Sequence, residues 1–271
     1  MRINTNVMAL NAQNMLAGNQ TAVSKSINKL SSGLRINGAA DDAAGLAISE
    51  KMRAQIRGLD QAESNAQDGI SLIQTAEGAL QQTTDILQRM RELVVKAENS
   101  GVLSTEDQDA IDVEVQALVD EIDRIAESTS FNGKNLLDGK EGALNFKIGA
   151  NTNSCDSLEV TISSMTAESL GVHAIDIKTG ASAALDSIDA AIVSVSDQRA
   201  QLGAYQNRME YAIESLSTTA ENLTNAESRI RDVDMADEMV SYTKDNILQQ
   251  SAMAMLAQAN QQPQQILSLL Q

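Results

Sequence analysis

The chain has no tryptophan, two Phe and three Tyr among 271 residues. Compact enzyme cores draw heavily on large rings, so a globular catalytic domain is a poor fit. Ala, Leu, Ile, Val and Met remain to do the packing, and they suit the seams between helices. There is one proline, Pro263, so almost nothing forbids long helices. A single cysteine, Cys155, rules out a disulfide within the chain. A single histidine, His173, rules out a two-histidine zinc motif, and one Cys with one His falls short of a tetrahedral site. No glycine motif of the phosphate-cradling kind occurs. These absences point away from an enzyme, a cofactor or a resident metal. No run of about 18 apolar residues occurs either, so no membrane-spanning helix and no membrane insertion are expected. Residues 1–6 lack the apolar stretch of a signal peptide. On residues alone that suggests a cytoplasmic protein.

Positive charge is also scarce. Lys and Arg number 20 against 37 acids, a net charge of −17. Residues 1–60 hold seven basic and four acidic residues, a balance of +3, which is too thin for a nucleic-acid face. Residues 101–200 hold six basic and eighteen acidic residues, a balance of −12, as expected of a solvated outer surface.

What the chain does have is helical periodicity. From Leu185 to Ile230, steps of three and four pass through Ile188, Ile192, Val195, Leu202, Met209, Ile213, Leu216 and Leu223. Only Arg199, Gln206 and Glu227 interrupt the apolar run. A seam sustained over this distance is a coiled-coil signal. At a rise of about 1.5 Å per residue the helix would be roughly 70 Å long, and it needs a partner. Residues 44–98 supply one, with Met52, Ile56, Leu59, Ala66, Ile70, Ile73, Leu80, Leu87 and Val94 in the same spacing. A third helix is expected over 105–128, capped by Ser104 or Thr105, with Ile111, Val115, Leu118, Ile122 and Ile125 on one face.

Elsewhere the pattern is weaker or different. Residues 3–34 carry Ile3, Val7 and Leu10, then Val23, Ile27, Leu30 and Leu34, with a weak stretch between them. Such a helix is marginal alone. A joint is expected at 35–44, where Gly38, Asp41 and Asp42 cluster, and a second at 231–234. Between residues 143 and 163, Leu144, Phe146 and Ile148 alternate with other residues, as do Leu158, Val160 and Ile162, which predicts a β-hairpin. Residues 163–181 read as loop. Residues 236–262 return to helix, and Ile266, Leu267, Leu269 and Leu270 leave an apolar C-terminal end that needs a cover. The expected fold is mainly α: an elongated antiparallel helical bundle or coiled coil with a small β-hairpin, plus a two-helix coiled coil formed by the termini.

Several stretches resemble the signatures of bacterial flagellins. Near the start these are Leu30-Ser31-Ser32-Gly33-Leu34-Arg35-Ile36-Asn37 and Asp41-Asp42-Ala43-Ala44-Gly45-Leu46-Ala47-Ile48. Asn65-Ala66-Gln67-Asp68-Gly69-Ile70-Ser71, Thr75-Ala76-Glu77-Gly78-Ala79-Leu80, Leu87-Gln88-Arg89-Met90-Arg91-Glu92-Leu93 and Phe131-Asn132-Gly133-Lys134 follow in order. Glu227-Ser228-Arg229-Ile230-Arg231-Asp232-Val233-Asp234-Met235-Ala236 and Leu256-Ala257-Gln258-Ala259-Asn260 resemble the C-terminal signature. Together the blocks span about 1–150 and 182–271.

The resemblance implies a structural subunit that polymerises into the flagellar filament for motility. It implies a terminal coiled-coil domain, 1–43 with 234–271, forming the filament's inner core and disordered in the monomer. A helical rod domain, 44–233, would carry the hairpin near 143–163. About 50 residues separate the long flanking helices, so no further outer domains are expected. The implied location is the extracellular filament, reached by type III export of an unfolded chain without a cleaved signal peptide. The implied partners are copies of itself, an export chaperone on the C-terminal segment, the flagellar cap and junction proteins, and the host receptor TLR5. Arg89, Leu93 and Glu114 match the family's receptor-contact positions. The candidate assembly seam is Ile3, Val7, Leu10, Ile27, Leu30 and Leu34 at one end, with Ile247, Met255, Leu267 and Leu270 at the other. A cytoplasmic coiled-coil adaptor would share the seams but not the ordered blocks. A filament-junction protein would share the terminal blocks and differ in copy number.

Overall fold

The structure is a computed structural model that describes residues 6–99, 104–151, 153–175 and 177–269. Five helices dominate the described residues: α1 (Val7–Ser32), α2 (Ala43–Ala97), α3 (Thr105–Ser128), α4 (Ile177–Arg231) and α5 (Met235–Leu269). Four short strands lie between α3 and α4: β1 (Ser130–Phe131), β2 (Lys134–Asn135), β3 (Ala143–Lys147) and β4 (Ser157–Thr161). The chain forms two compact units, Arg57–Ala220 and Met1–Ile56 with Glu221–Gln271.

In the unit Arg57–Ala220, α2 buries a strict alternation of three- and four-residue steps. Leu59, Ala62, Ala66, Gly69, Ile73, Ala76, Leu80, Thr83, Leu87, Met90, Val94 and Ala97 all lose their solvent. This is the spacing that keeps one stripe of a helix against a partner. The partner is α4, where Ile188, Val195, Leu202 and Met209 are buried in the same core. Ion pairs Arg91–Asp189 and Glu77–Arg199 show that α2 and α4 run antiparallel. None of the stripe positions named from Leu185 to Ile230 is exposed. The threefold interruption by polar residues is tolerated because Arg199 reaches Glu77 and Gln206 reaches Glu210.

Helix α3 adds Ile111, Val115, Val119, Ile122 and Ala126 to that core, and Ile125 is buried beside them in sequence. Its first turn is closed by a capping box. The Ser104 hydroxyl accepts from the Asp107 N–H, and the Asp107 carboxylate accepts from the Ser104 N–H and hydroxyl. These Ser104 donors, the backbone N–H above all, hold the Asp107 carboxyl below the usual carboxylate range.

Gly69 sits where α2, α4 and the hairpin meet. A Cβ there would lie 2.9 Å from the Met209 Sδ and 3.2 Å from the Phe146 ring. Gly78, by contrast, has open space around it, so its presence is not explained by close packing.

Strands β3 and β4 pair antiparallel, Ala143 opposite Thr161 and Lys147 opposite Ser157. Leu158 and Val160 point into the helical core and Glu159 points out, the period-two pattern of a half-buried strand. The turn-forming stretch Phe131-Asn132-Gly133-Lys134 closes a second, smaller hairpin of β1 and β2, with positive φ at both Asn132 and Gly133.

Residues 163–175 form no helix or strand, yet Met165, Ala167, Leu170, Val172 and Ile175 are buried. Side chains from the helices hold this segment in place. The Asp123 carboxylate accepts from the Ala167 N–H at 2.7 Å, and the Gln116 amide donates to the Ile175 carbonyl at 3.3 Å. Buried Gln198 on α4 does both: its Oε1 accepts from the Ser163 N–H and its Nε2 donates to the Thr161 carbonyl. It thus satisfies the backbone where β4 ends, where no third strand is present.

Two measurements check this reading. Gln198→Ala removes both hydrogen bonds of a buried side chain to the backbone at the end of β4 and should cost about 1–3 kcal/mol; urea unfolding followed by circular dichroism reads it, and an unchanged midpoint would refute the clamp. The Asp107 cap contributes stability above the ordinary carboxylate pKa of about 4, which is lost as pH falls through its lower folded value. Amide exchange at the start of α3 should therefore rise across that acid window in the wild type, and Asp107→Asn should flatten the rise.

Candidate assembly surface and joint

The unit Met1–Ile56 with Glu221–Gln271 is built on α1 packed antiparallel against α5. Asn6 Nδ2 donates to the Ala259 carbonyl at one end, and Lys29 pairs with Glu238 at the other. The residues of α1 that lose most solvent are Ala9, Ala12, Leu16, Asn19, Val23, Ser26 and Leu30. On α5 they are Glu238, Tyr242, Asp245, Gln249, Ala252, Leu256 and Ala259. Both sets step by three and four, so each is one stripe. Both consist largely of small and polar side chains, with only Leu16, Val23, Leu30, Tyr242 and Leu256 as larger anchors.

The large apolar side chains face away from this seam. Val7, Met8, Leu10, Met15 and Ile27 of α1 are exposed. So are Met235, Met239, Val240, Ile247, Leu248, Met253 and Met255 of α5. At about 100° per residue these α5 positions spread over most of the circumference that α1 leaves free. Apolar side chains spread this widely over an exposed face mark a surface that another element can cover. Along one edge of the pair, Met8, Met15, Leu248 and Met255 line a groove of about 380 Å³.

Of the candidate seam, Val7, Leu10, Ile27, Ile247 and Met255 therefore lie on the outward surface, while Leu30 and Leu34 are half-buried within the unit. Ile3 and Leu270 lie outside the described residues, as does the side chain of Leu267. The inward stripe of Ala, Ser and Asn was not singled out from the sequence. The signal for it was the heptad spacing of small residues at 9, 12, 19 and 26, which a search for apolar residues passes over.

The two joints of this unit are fastened to each other. Gly33 ends α1 in the left-handed conformation, φ +72°, and its N–H donates to the Lys29 carbonyl. Leu34 then pairs with Asp232 as an isolated antiparallel bridge. The Arg35 N–H donates to the Arg231 carbonyl at 2.6 Å, and the Val233 N–H donates to the Gly33 carbonyl at 3.0 Å. The Arg35 guanidinium donates to the Arg229 and Ile230 carbonyls, which closes the C-terminal end of α4 with a cation. Ile36 is buried, and the Asp41 carboxylate accepts from the N–H groups of Asn37 and Gly38. Asp42 caps α2 through the Ala44 and Gly45 N–H groups, and Asp234 caps α5 through the Ala236 N–H. Arg231 reaches Glu50 at 2.7 Å, and Arg53 reaches Glu227.

In the other unit, Arg89 and Glu114 are joined and outward-facing: Arg89 Nε and Nη2 both donate to Glu114 Oε1, at 3.2 and 2.9 Å. Glu114, then Glu92, stabilises the charged guanidinium and raises its pKa further. Leu93, one turn along α2, is 3% exposed and belongs to the three-helix core. Cys155 is exposed beside Asp156, and no group of three or more potential metal ligands occurs among the described residues. No described helix is long and apolar enough to cross a membrane.

A mainly α protein whose terminal helices turn their large apolar residues outward belongs to the class of subunits completed by assembly. Comparison with known proteins defines the class further. Residues 3–141 match the bacterial flagellin N-terminal helical region, and residues 185–270 match the bacterial flagellin C-terminal helical region. The chain is 52% identical over 305 residues to a flagellin of Bacillus subtilis and 53% identical over 272 residues to one of Halalkalibacterium halodurans, covering 100% of both chains in each case. The crystal structure of Bacillus cereus flagellin aligns with a TM-score of 0.50 and 29% identity, over 60% of this chain and 94% of that one. The chain belongs to the bacterial flagellin family. It is a structural subunit of the flagellar filament and not an enzyme, and the assembled filament is extracellular.

Proposed function

We propose that the terminal segments, 1–43 with 234–271, form the inner core of the filament, and that they complete their folding as they assemble. The observation that carries this is the inside-out distribution of side chains on α1 and α5. Twelve large apolar residues of the two helices are exposed, from Val7 to Met255. Each stands to gain on the order of 1 kcal/mol when a neighbour covers it. Ordering backbone costs about 1–2 kcal/mol per residue, so a pair held by a small-residue seam gains its full stability from neighbours. A contact surface of this kind, repeated without closing into a ring, produces an open helical polymer.

The same surface supports the export chaperone and the cap and junction proteins as partners, and a patch of the other unit supports the host receptor. Before assembly, the apolar face of 236–270 is the site for an export chaperone, which keeps it from self-association. A chain with one Cys and one Pro is easily threaded through a type III export channel as an unfolded polymer. Cap and junction proteins meet the same helix ends at the two limits of the filament. For the host receptor TLR5, Arg89 and Glu114 are the presented groups, and Leu93 acts from beneath by anchoring the helix that carries Arg89.

The assembly reading is tested with Val7→Asp and Ile247→Asp. Both positions are more than half exposed, so the monomer should keep its helicity by circular dichroism. Elongation of filament seeds and chaperone capture by the Ile247 variant should both fall by roughly tenfold or more, since each buried charge costs several kcal/mol. Seeds that elongate at the wild-type rate would refute it. The receptor reading is tested by binding of purified monomer to the receptor ectodomain. Arg89→Ala should weaken binding by about tenfold, as expected of losing a charge-assisted pair; absence of binding by the wild-type monomer would end this part.

A further inference from the structure

The methionines of this chain are sharply sorted. Met8, Met15, Met235, Met239, Met253 and Met255 are exposed, all on α1 or α5. Met90 and Met209 in the other unit are 0% exposed and Met165 is 5% exposed. Met52, at the start of α2, is half-buried. Three of the exposed thioethers, those of Met8, Met15 and Met255, line the groove along the α1–α5 pair. Met15 is 68% exposed, more than any other large apolar residue of α1 or α5 except Val240.

We propose that these six methionines form a reversible oxidation site that controls whether a subunit can assemble. The proposal rests on the reading that the outward faces of α1 and α5 become subunit contacts. The oxidant is a peroxide. A lone pair of the thioether sulfur attacks the terminal peroxide oxygen, an S–O bond forms and the O–O bond breaks. The sulfur loses two electrons, the peroxide gains them, and the departing oxygen leaves as water. Each event replaces a flexible apolar tip with a polar, hydrogen-bond-accepting sulfoxide. In a free subunit the sulfoxide is solvated and costs little. Inside a dry contact it has no donor, and burying it opposes assembly. The core methionines are shielded, so the oxidised subunit keeps its helical core and only its sticky surface is changed. Reduction of the sulfoxide by a dithiol-dependent reductase gives back thioether and water, with the dithiol oxidised to a disulfide, and restores the surface.

The experiment uses full-length monomer released from purified filaments. It is treated with hydrogen peroxide, digested and examined by mass spectrometry, and its elongation of untreated seeds is followed by light scattering. The six exposed methionines should be oxidised while Met90, Met165 and Met209 are spared, and elongation should slow by roughly tenfold or more. Treatment with both classes of methionine sulfoxide reductase and dithiothreitol should restore it. Oxidised monomer that elongates at the untreated rate, core methionines oxidised as fast as the six, or slowed elongation that the reductases do not reverse would each overturn the proposal. A variant with all six replaced by Leu should elongate and ignore peroxide; if it elongates and is still inhibited, the lesion lies elsewhere and the proposal fails. If that variant cannot elongate, reductase rescue of the wild type decides. Intact filaments treated in parallel should show slower oxidation at the six sites. Equal rates in filament and monomer would instead count against the assembly reading itself.

Discussion

The structure depends on how α1 meets α5. A stripe of Ala, Ser and Asn lets two helices approach closely but buries little apolar surface. Close approach fixes the orientation of both helices, and so fixes where their large residues point. Those residues point outward. The pair is thus held in register by geometry and fastened at its base by the joint, and on the proposed assembly the larger hydrophobic contribution is deferred to the polymer. A seam of Leu and Ile between α1 and α5 would make a more stable monomer with less reason to assemble.

The second unit shows the opposite arrangement. There α2, α3 and α4 turn their Leu, Ile, Val and Met inward and finish their core within the chain. Polar side chains such as Gln198, Asp123 and Gln116 hold an irregular segment, 163–175, that lies on that core. One unit covers its large apolar residues within the chain, and the other leaves many of them exposed. The joint that ends α1 and begins α2 is dense in specific hydrogen bonds. Leu34, Arg35, Asp41, Asp42, Asp232 and Asp234 each have a backbone partner there, which accounts physically for why the signature blocks read as they do.

Much of this was legible in the sequence. The stripe from Leu185 to Ile230, an N-cap at Ser104 or Thr105 and the alternation of Leu158, Val160 and Ile162 state their structures directly, because periodicity and capping are local. Three features were not legible. Helix α4 begins at Ile177 rather than after residue 181, and α5 runs to Leu269 rather than 262, because helix ends are set by tertiary context. Residues 163–175 are the loop that the sequence predicts, but their burial was not legible because the partners that order them, Asp123 and Gln198, are distant in sequence. The direction in which Val7, Leu10, Ile27, Ile247 and Met255 point could not be read at all. An apolar residue at helical spacing signals burial, but not whether the cover is this chain or the next.

That last distinction is the central claim, and amide hydrogen exchange measures it. Exchange is compared between dilute monomer and the assembled filament. The account predicts that the gain in protection concentrates in residues 7–32 and 235–262, with the α2–α3–α4 core nearly unchanged. Protection that is already complete at both termini in the monomer, with the gain falling on 105–175 instead, would contradict it.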